Sequence, residues 1–177
     1  MKIGVISDTH SNMPCMQAAV KLLLDRDVSL VVHLGDWSSV YAFQFLFQEL
    51  KKHNLPLKGV LGNNDASLEN QLLENDRLGS DSLELQRELL TFTLEGRNLA
   101  ATHGDNYKLL RNLIQSSMYD AIFYGHTHRA KKEVVGKTLV VNPGSTTFSV
   151  PCSQKLKSLA IYDTKSNSID IETFTID

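Results

Sequence analysis

The chain predicts an α/β fold with two β-sheets packed face to face and helices outside, and three observations carry that expectation. In the first half, short apolar runs alternate with amphipathic segments, the mark of strand–helix units and a mainly parallel sheet. In the second half, paired apolar runs flank glycine-containing turns, so antiparallel hairpins are richer there. The 177 residues suit one domain, 1–177, long enough to bury a substantial core without staples.

Taken in order, Lys2–Ile6 reads as a buried strand and about Pro14–Arg26 as a helix. Leu30–His33 is a second strand, about Val40–His53 a second helix, and Leu57–Leu61 a third strand. Residues 66–81 are polar and acidic, with a short helix-like piece around Leu68–Glu74. Glu88–Leu94 and Asn98–Thr102 flank the turn Glu95-Gly96-Arg97. A helix over about Tyr107–Ser116 leads to the strand Ala121–Tyr124. Lys132–Val135 and Thr138–Val141 flank Gly136-Lys137, a second hairpin, and two alternating runs, Ser158–Tyr162 and Ser168–Phe174, close the chain.

Composition narrows the function classes. An apolar fraction of 42% and a charged fraction of 21% are those of an ordinary globular protein. The net charge is −2, with Lys and Arg spread along the chain, so no basic footprint attracts nucleic acid or a membrane surface. Nucleic acid stays open only as a substrate. The apolar runs are too short to span a bilayer, and residues 1–7 lead too early into Asp8 and His10 for a signal peptide. Cys15 and Cys152 form no CxxC pair and read as reduced thiols, so the cytoplasm is the expected location.

Almost every polar residue able to bind a metal follows a strand, usually beside glycine. The sites are Asp8-Thr9-His10, Gly35-Asp36, Gly62-Asn63-Asn64-Asp65, His103-Gly104 and Gly125-His126-Thr127-His128. Strand ends are where α/β folds present function, because the sheet fixes the backbone while the loops stay reachable. Four of the ten glycines flank these positions, which core packing does not explain. Carboxylate, imidazole and amide oxygen without thiolate suit manganese first, with nickel, iron and zinc as alternatives. Asp8, His10, Asp36, Asn63, His103, His126 and His128 supply seven donors. With Asp36 shared, two divalent ions receive four ligands each. His126 and His128 share a strand parity, so both face one side.

The motif order Asp-x-His, Gly-Asp, Gly-Asn-x-Asp, His-Gly and Gly-His-x-His resembles the calcineurin-like metallophosphoesterase family over about residues 1–150. The short length is similar to its small YfcE-type phosphodiesterase branch, which includes the retromer-subunit relatives. The resemblance implies a four-layer αββα sandwich with two mixed sheets. It also implies one ion on Asp8, His10, Asp36 and His128, a second on Asp36, Asn63, His103 and His126, and a bridging hydroxide. Two ions roughly 3.5–4 Å apart lower the pKa of a shared water and clamp both attacking and leaving oxygens. With two carboxylates and one hydroxide, the centre keeps a single positive charge, which a phosphodiester neutralises and a dianionic monoester overshoots.

Asn64, Asp65 and His103 form the candidate catalytic set. Many family members carry histidine where Asn64 stands; an amide donates a hydrogen bond to phosphoryl oxygen but supplies no proton. Asp65 is expected to orient a ligand imidazole, with Asn142 and Ser145 supporting the site and Arg129 touching phosphate. His33 alternates inside its strand and reads as a hydrogen-bonded core or supporting histidine; His53 ends a helix and reads as structural. Gly136-Lys137-Thr138 mimics the end of a P-loop, but Lys131 stands where its upstream glycine belongs. No Gly-x-Ser-x-Gly anchors a serine hydrolase. Tyr41, Phe43, Phe45 and Phe47 read as core or as a homo-oligomer contact, with base stacking the more remote alternative. The acidic stretch Glu69–Glu88 reads as solvated surface, with a lid over the site as the sharper alternative.

The expected function is therefore a metal-dependent phosphodiesterase acting on a small diester. A phosphomonoesterase or nucleotidase on the same site is one alternative. A non-catalytic scaffold like the retromer subunit is the other, and seven filled ligand positions argue against it.

Overall fold

The alternation of apolar residues along each strand sorts the side chains into two cores, one on each face of a sheet. The computed structural model of the protein describes residues 1–77, 82–147 and 156–176. The first sheet contains β1 (Lys2–Ile6), β2 (Leu30–His33), β3 (Leu57–Val60), β4 (Leu83–Gln86), β10 (Lys157–Asp163) and β11 (Ser168–Phe174), in the order β11-β10-β1-β2-β3-β4. The second holds β5 (Leu89–Leu94), β6 (Arg97–Thr102), β7 (Ala121–Tyr124), β8 (Lys131–Val135) and β9 (Thr138–Asn142), in the order β5-β6-β7-β9-β8. Both are mixed. Strands β1 to β4 run parallel, as do β6, β7 and β9, and the remaining pairs are antiparallel.

Ile3, Val5, Leu30 and Val32 from the first sheet meet Leu99, Ala101, Ala121 and Phe123 from the second in a continuous buried core. On the opposite face, Val31, Leu57 and Leu159 pack against α1 (Met13–Asp25) and α2 (Val40–Lys52). Ala100 and Ile122 turn outward beneath α4 (Tyr107–Ser116), against Leu110 and Leu113. The layers are helix, sheet, sheet, helix. Each fully buried Leu, Ile or Phe contributes about 1.5–3 kcal/mol of transfer free energy, so the two-residue period of the strands fixes which core each side chain joins.

One region departs from the sequence expectation. Asn63–Leu68 is a 3-10 turn running into α3 (Glu69–Arg77), which packs Leu72, fully buried, into the core beneath α1 and α2. Residues 83–86 form β4, whose Leu83 and Leu85 alternate into the core while Glu84 is half-buried and Gln86 exposed. The described part of the acidic stretch is thus built into the domain. Its charges pair at the surface, Arg87 with Glu69 and Glu84 with Lys58. Of the α2 aromatics, Phe43 is core, Phe45 and Phe47 pack at its margin, and Tyr41 is exposed. Cys15 is a buried free thiol; Cys152 lies outside the described residues. No helix among the described residues is long and apolar enough to cross a membrane.

Candidate metal centre

Every ligand loop leaves the C-terminal end of a strand, and most are closed by a helix cap. Asp8 and His10 follow β1, and Asn12 then caps α1 by accepting from the Cys15 amide. Asp36 follows β2, and Ser39 caps α2 by accepting from the Ala42 amide. His103 follows β6, and Asn106 caps α4 through the Leu109 amide. Asn63 opens the turn after β3, while His126 and His128 lie between β7 and β8. Each cap contributes about 1 kcal/mol. Strand end and helix start are both fixed, leaving the intervening loop to carry donors.

The seven expected ligands come together at the crest between the two sheets. Donor atoms of Asp8, His10, Asp36 and His128 all lie within 4.8 Å of one another. His10 Nε2 stands 3.2 Å from His128 Nε2 and 3.7 Å from Asp36 Oδ2. On the other side of the same carboxylate, Asp36 Oδ1 stands 3.5 Å from His103 Nε2. Asn63 Oδ1 is 3.0 Å from both His103 Nε2 and His126 Nδ1, which completes a second group. Asp36, only 2% exposed, faces one group with each oxygen.

The donor set fits a cation. Asp8 Oδ1 is buried, and beyond the His128 Nε2 contact at 3.1 Å it has no hydrogen-bond partner among the described residues. A buried anionic oxygen with unmet acceptor capacity is costly unless a charge completes it. Burial alone would raise the Asp8 pKa. The His128 contact, the Ser7 hydroxyl and the field of His103 outweigh it and hold the carboxyl below its usual range. Burial likewise lowers His10, against the pull of Asp36 and Asp8, which favours the neutral imidazole that a metal needs. His103 Nδ1 donates to the Leu34 carbonyl at 2.7 Å, which fixes the ring with Nε2 turned to the site.

Backbone strain concentrates at the same loops. Asp8, His10, Asp36, His126 and His128 all have φ between 42° and 66°, the left-handed region, which costs about 1–2 kcal/mol per residue for L-amino acids. Cross-links offset that cost. Asp8 N bonds the Gly35 carbonyl and His10 N the Asp36 carbonyl, which zips the first two loops together. Ser145 Oγ donates to the Asp8 carbonyl, Thr147 Oγ1 to the Thr9 carbonyl, and Asn142 Nδ2 to the Gly125 carbonyl. Two glycines allow the closest approaches. A Cβ on Gly62 would sit 2.3 Å from Asp36 Oδ1, and one on Gly125 would sit 2.0 Å from Ser7 Oγ.

Asp65 does different work from the expected contact with an imidazole. Its Oδ2 accepts from the Asp36 and Gly62 amides at 2.9 and 2.8 Å, and its Oδ1 from the Ser38 amide at 2.8 Å. It holds the Asp36 loop by its backbone. Asn64 also turns to Asp36, donating its amide N to Oδ1 at 3.0 Å and its Nδ2 to Oδ2 at 2.7 Å. Arg129 stands beside the crest in a groove with His126. The sequence reading missed Ser7, Ser38 and Thr147, which bind ligand loops. The Ser38 and Thr147 contacts cross 28 and 138 residues of chain, beyond any local pattern, although the Ser38-Ser39 pair after Gly35-Asp36 was a visible cue.

His33 ties two loops together from below. Its Nδ1 accepts from the Gly35 amide, so Nε2 carries the proton and meets Thr9 Oγ1 at 3.1 Å. The ring stacks on Trp37 at 3.5 Å. Burial lowers its pKa from 6.5 to about 3. The unfolded chain takes up this proton near pH 6.5 and the folded chain only near 3, so acid favours unfolding across that interval. Stability is fully present above pH 6.5 and falls as pH drops toward 3. Urea midpoints should decline through that window in metal-free protein, and less steeply in His33→Gln. Equal slopes would show that His33 does not carry the effect.

Comparison with known proteins places this geometry among relatives. The model of the calcineurin-like phosphoesterase superfamily domain matches residues 1–167. The phosphodiesterase MJ0936 of Methanocaldococcus jannaschii is 33% identical over 149 residues, covering 81% of this chain and 83% of the relative. The solved structure of an archaeal phosphodiesterase superposes with a TM-score of 0.79 at 27% identity, covering 98% of this chain and 100% of the other. The phosphoesterase YfcE of E. coli shares the fold, with a TM-score of 0.64 at 23% identity and 100% of both chains covered.

Proposed function

Because the chain belongs to the calcineurin-like phosphoesterase superfamily, we propose that it is a phosphodiesterase with a dinuclear metal site, working as one domain over residues 1–177. The observation that carries this reading is the Asp36 carboxylate, whose two oxygens each turn to a separate donor group. Asp8, His10, Asp36 and His128 would hold one ion; Asp36, Asn63, His103 and His126 would hold the other. Two divalent ions there, manganese by donor type, would supply Lewis acidity and lower the pKa of a shared water to give a hydroxide nucleophile.

The chain's own residues do the rest. Asp65 and the loop cross-links keep the donors in place before substrate arrives. The bond from His103 Nδ1 to the Leu34 carbonyl holds the ring with Nε2 turned to the site. Asn64 steadies Asp36 through both carboxylate oxygens, and its side-chain amide carries no transferable proton. A leaving group must therefore depart as a stable anion. Bis(p-nitrophenyl) phosphate should turn over at least about a hundredfold faster than an alkyl monoester, the scale of one missing general acid. Asn64→His should raise the rates of poor leaving groups selectively. A leaving-group series with unchanged slope would count against this account.

The function is tested by metal analysis paired with a metal-by-substrate screen. Two ions per chain and diester hydrolysis are expected. Bound metal with no hydrolysis of any ester would favour the scaffold reading, and a single ion at saturation would remove the bridging role of Asp36.

A further inference from the structure

Beside the second donor group the surface falls into a groove of about 460 Å³, lined by Tyr107, Tyr124, His126, Thr127, Arg129 and Lys131. Its size lies within the range of small-ligand sites, and a residue of the proposed centre, His126, forms one wall. Tyr107, 66% exposed at the start of α4, sets its ring edge-on to His126 at 6.4 Å between centroids. An aromatic ring that exposed gains little from folding and offers a face for stacking. Tyr124, at the end of β7, is half-buried beside it. Two cations border these rings. Lys131 already pairs with Glu133 at 2.8 Å. Arg129 is exposed, and its guanidinium makes no ion pair among the described residues. It remains available to an anion.

On this geometry, and resting on the diesterase reading above, we infer that the groove recognises one arm of the diester, a nucleoside-type substituent whose planar base stacks on Tyr107 and whose second phosphate meets Arg129. Aromatic side chains accept any base face, and guanidinium matches phosphate in two-point contacts. The chain's net charge of −2 gives no long-range attraction, so selection of such a substrate falls to contacts at short range. The substrate class is a short nucleotide diester, with its phosphate at the centre and the adjacent nucleoside phosphate along the groove.

The test is calorimetric binding to manganese-loaded protein, using thymidine 3′,5′-bisphosphate, thymidine 3′-monophosphate and methyl phosphate as probes. Affinity should rise at least about tenfold from methyl phosphate to the monophosphate, and again to the bisphosphate. Tyr107→Ala should remove the first gain and Tyr107→Phe should keep it; Arg129→Gln should remove the second. Equal affinities for all three probes, or gains that survive the substitutions, overturn the inference. Hydrolysis of bis(p-nitrophenyl) phosphate is measured on the same samples. Hydrolysis with flat affinities sinks the groove and leaves the diesterase standing. Graded affinities without hydrolysis sink the diesterase and leave the groove.

Discussion

Asp36→Asn is expected to lower diester hydrolysis by at least about a thousandfold and to leave the protein with little bound metal. The change is nearly isosteric, so its force comes from charge and hydrogen-bond polarity. Asp36 is 2% exposed, and each oxygen stands toward a different donor group. An amide has one oxygen to offer where two are required, and no negative charge. Whichever way it turns, its NH2 meets a donor, because Asn64 N points at Oδ1 and Asn64 Nδ2 at Oδ2. Metal content by mass spectrometry and kcat on a generic diester check the outcome. Near-normal activity in this variant would show that Asp36 does not serve two ions.

The second large effect belongs to a residue that would touch no ion. Asp65→Ala strips acceptors from three backbone amides, those of Asp36, Gly62 and Ser38, at a fully buried position. An unmet buried donor costs about 1–3 kcal/mol, so a loss of about 3–5 kcal/mol is expected after relaxation. For a chain of this size that is a fall in Tm of roughly 6–20 °C. Activity should drop further than folding does, because the Asp36 loop loses its anchor while the fold persists. Asp65→Asn should be milder, since its remaining oxygen can keep the Asp36 and Gly62 amides and only Ser38 faces an NH2. Thermal melts of both variants, with kcat at a temperature where both are folded, decide it. An Asp65→Ala protein within about 1 kcal/mol of the parent would show that water replaces the carboxylate.

The residues most legible in the sequence were those under local constraint. Strands β1, β2 and β7 and helix α4 begin and end where alternation and caps put them, because each pattern is set within a few residues. The donor loops were legible for the same reason: strand end and polar donor recur together in five places, four of them beside a glycine. Strand β4 was hidden because Leu83 and Leu85 alternate within an acid-rich stretch, where charge masked the two-residue period. Its place is set by pairing with β3 and by α3 above it, both matters of tertiary packing. The supports were least legible. That Asp65 holds backbone, and that Asn64 leans on Asp36, follows from a fold that brings residue 36 against the turn after β3.

The donors of each group are divided between the two sheets. Asp8, His10 and Asp36 come from the first and His128 from the second; Asn63 comes from the first and His103 with His126 from the second. Below the crest the sheets adhere through apolar side chains, which tolerate exchange and small slips. A cation seated above would act as a clasp between two halves of the chain, closing only when they meet in register. Supply of that cation then becomes part of what keeps the molecule whole, and starvation for it would loosen the fold first at the place where the chemistry is done.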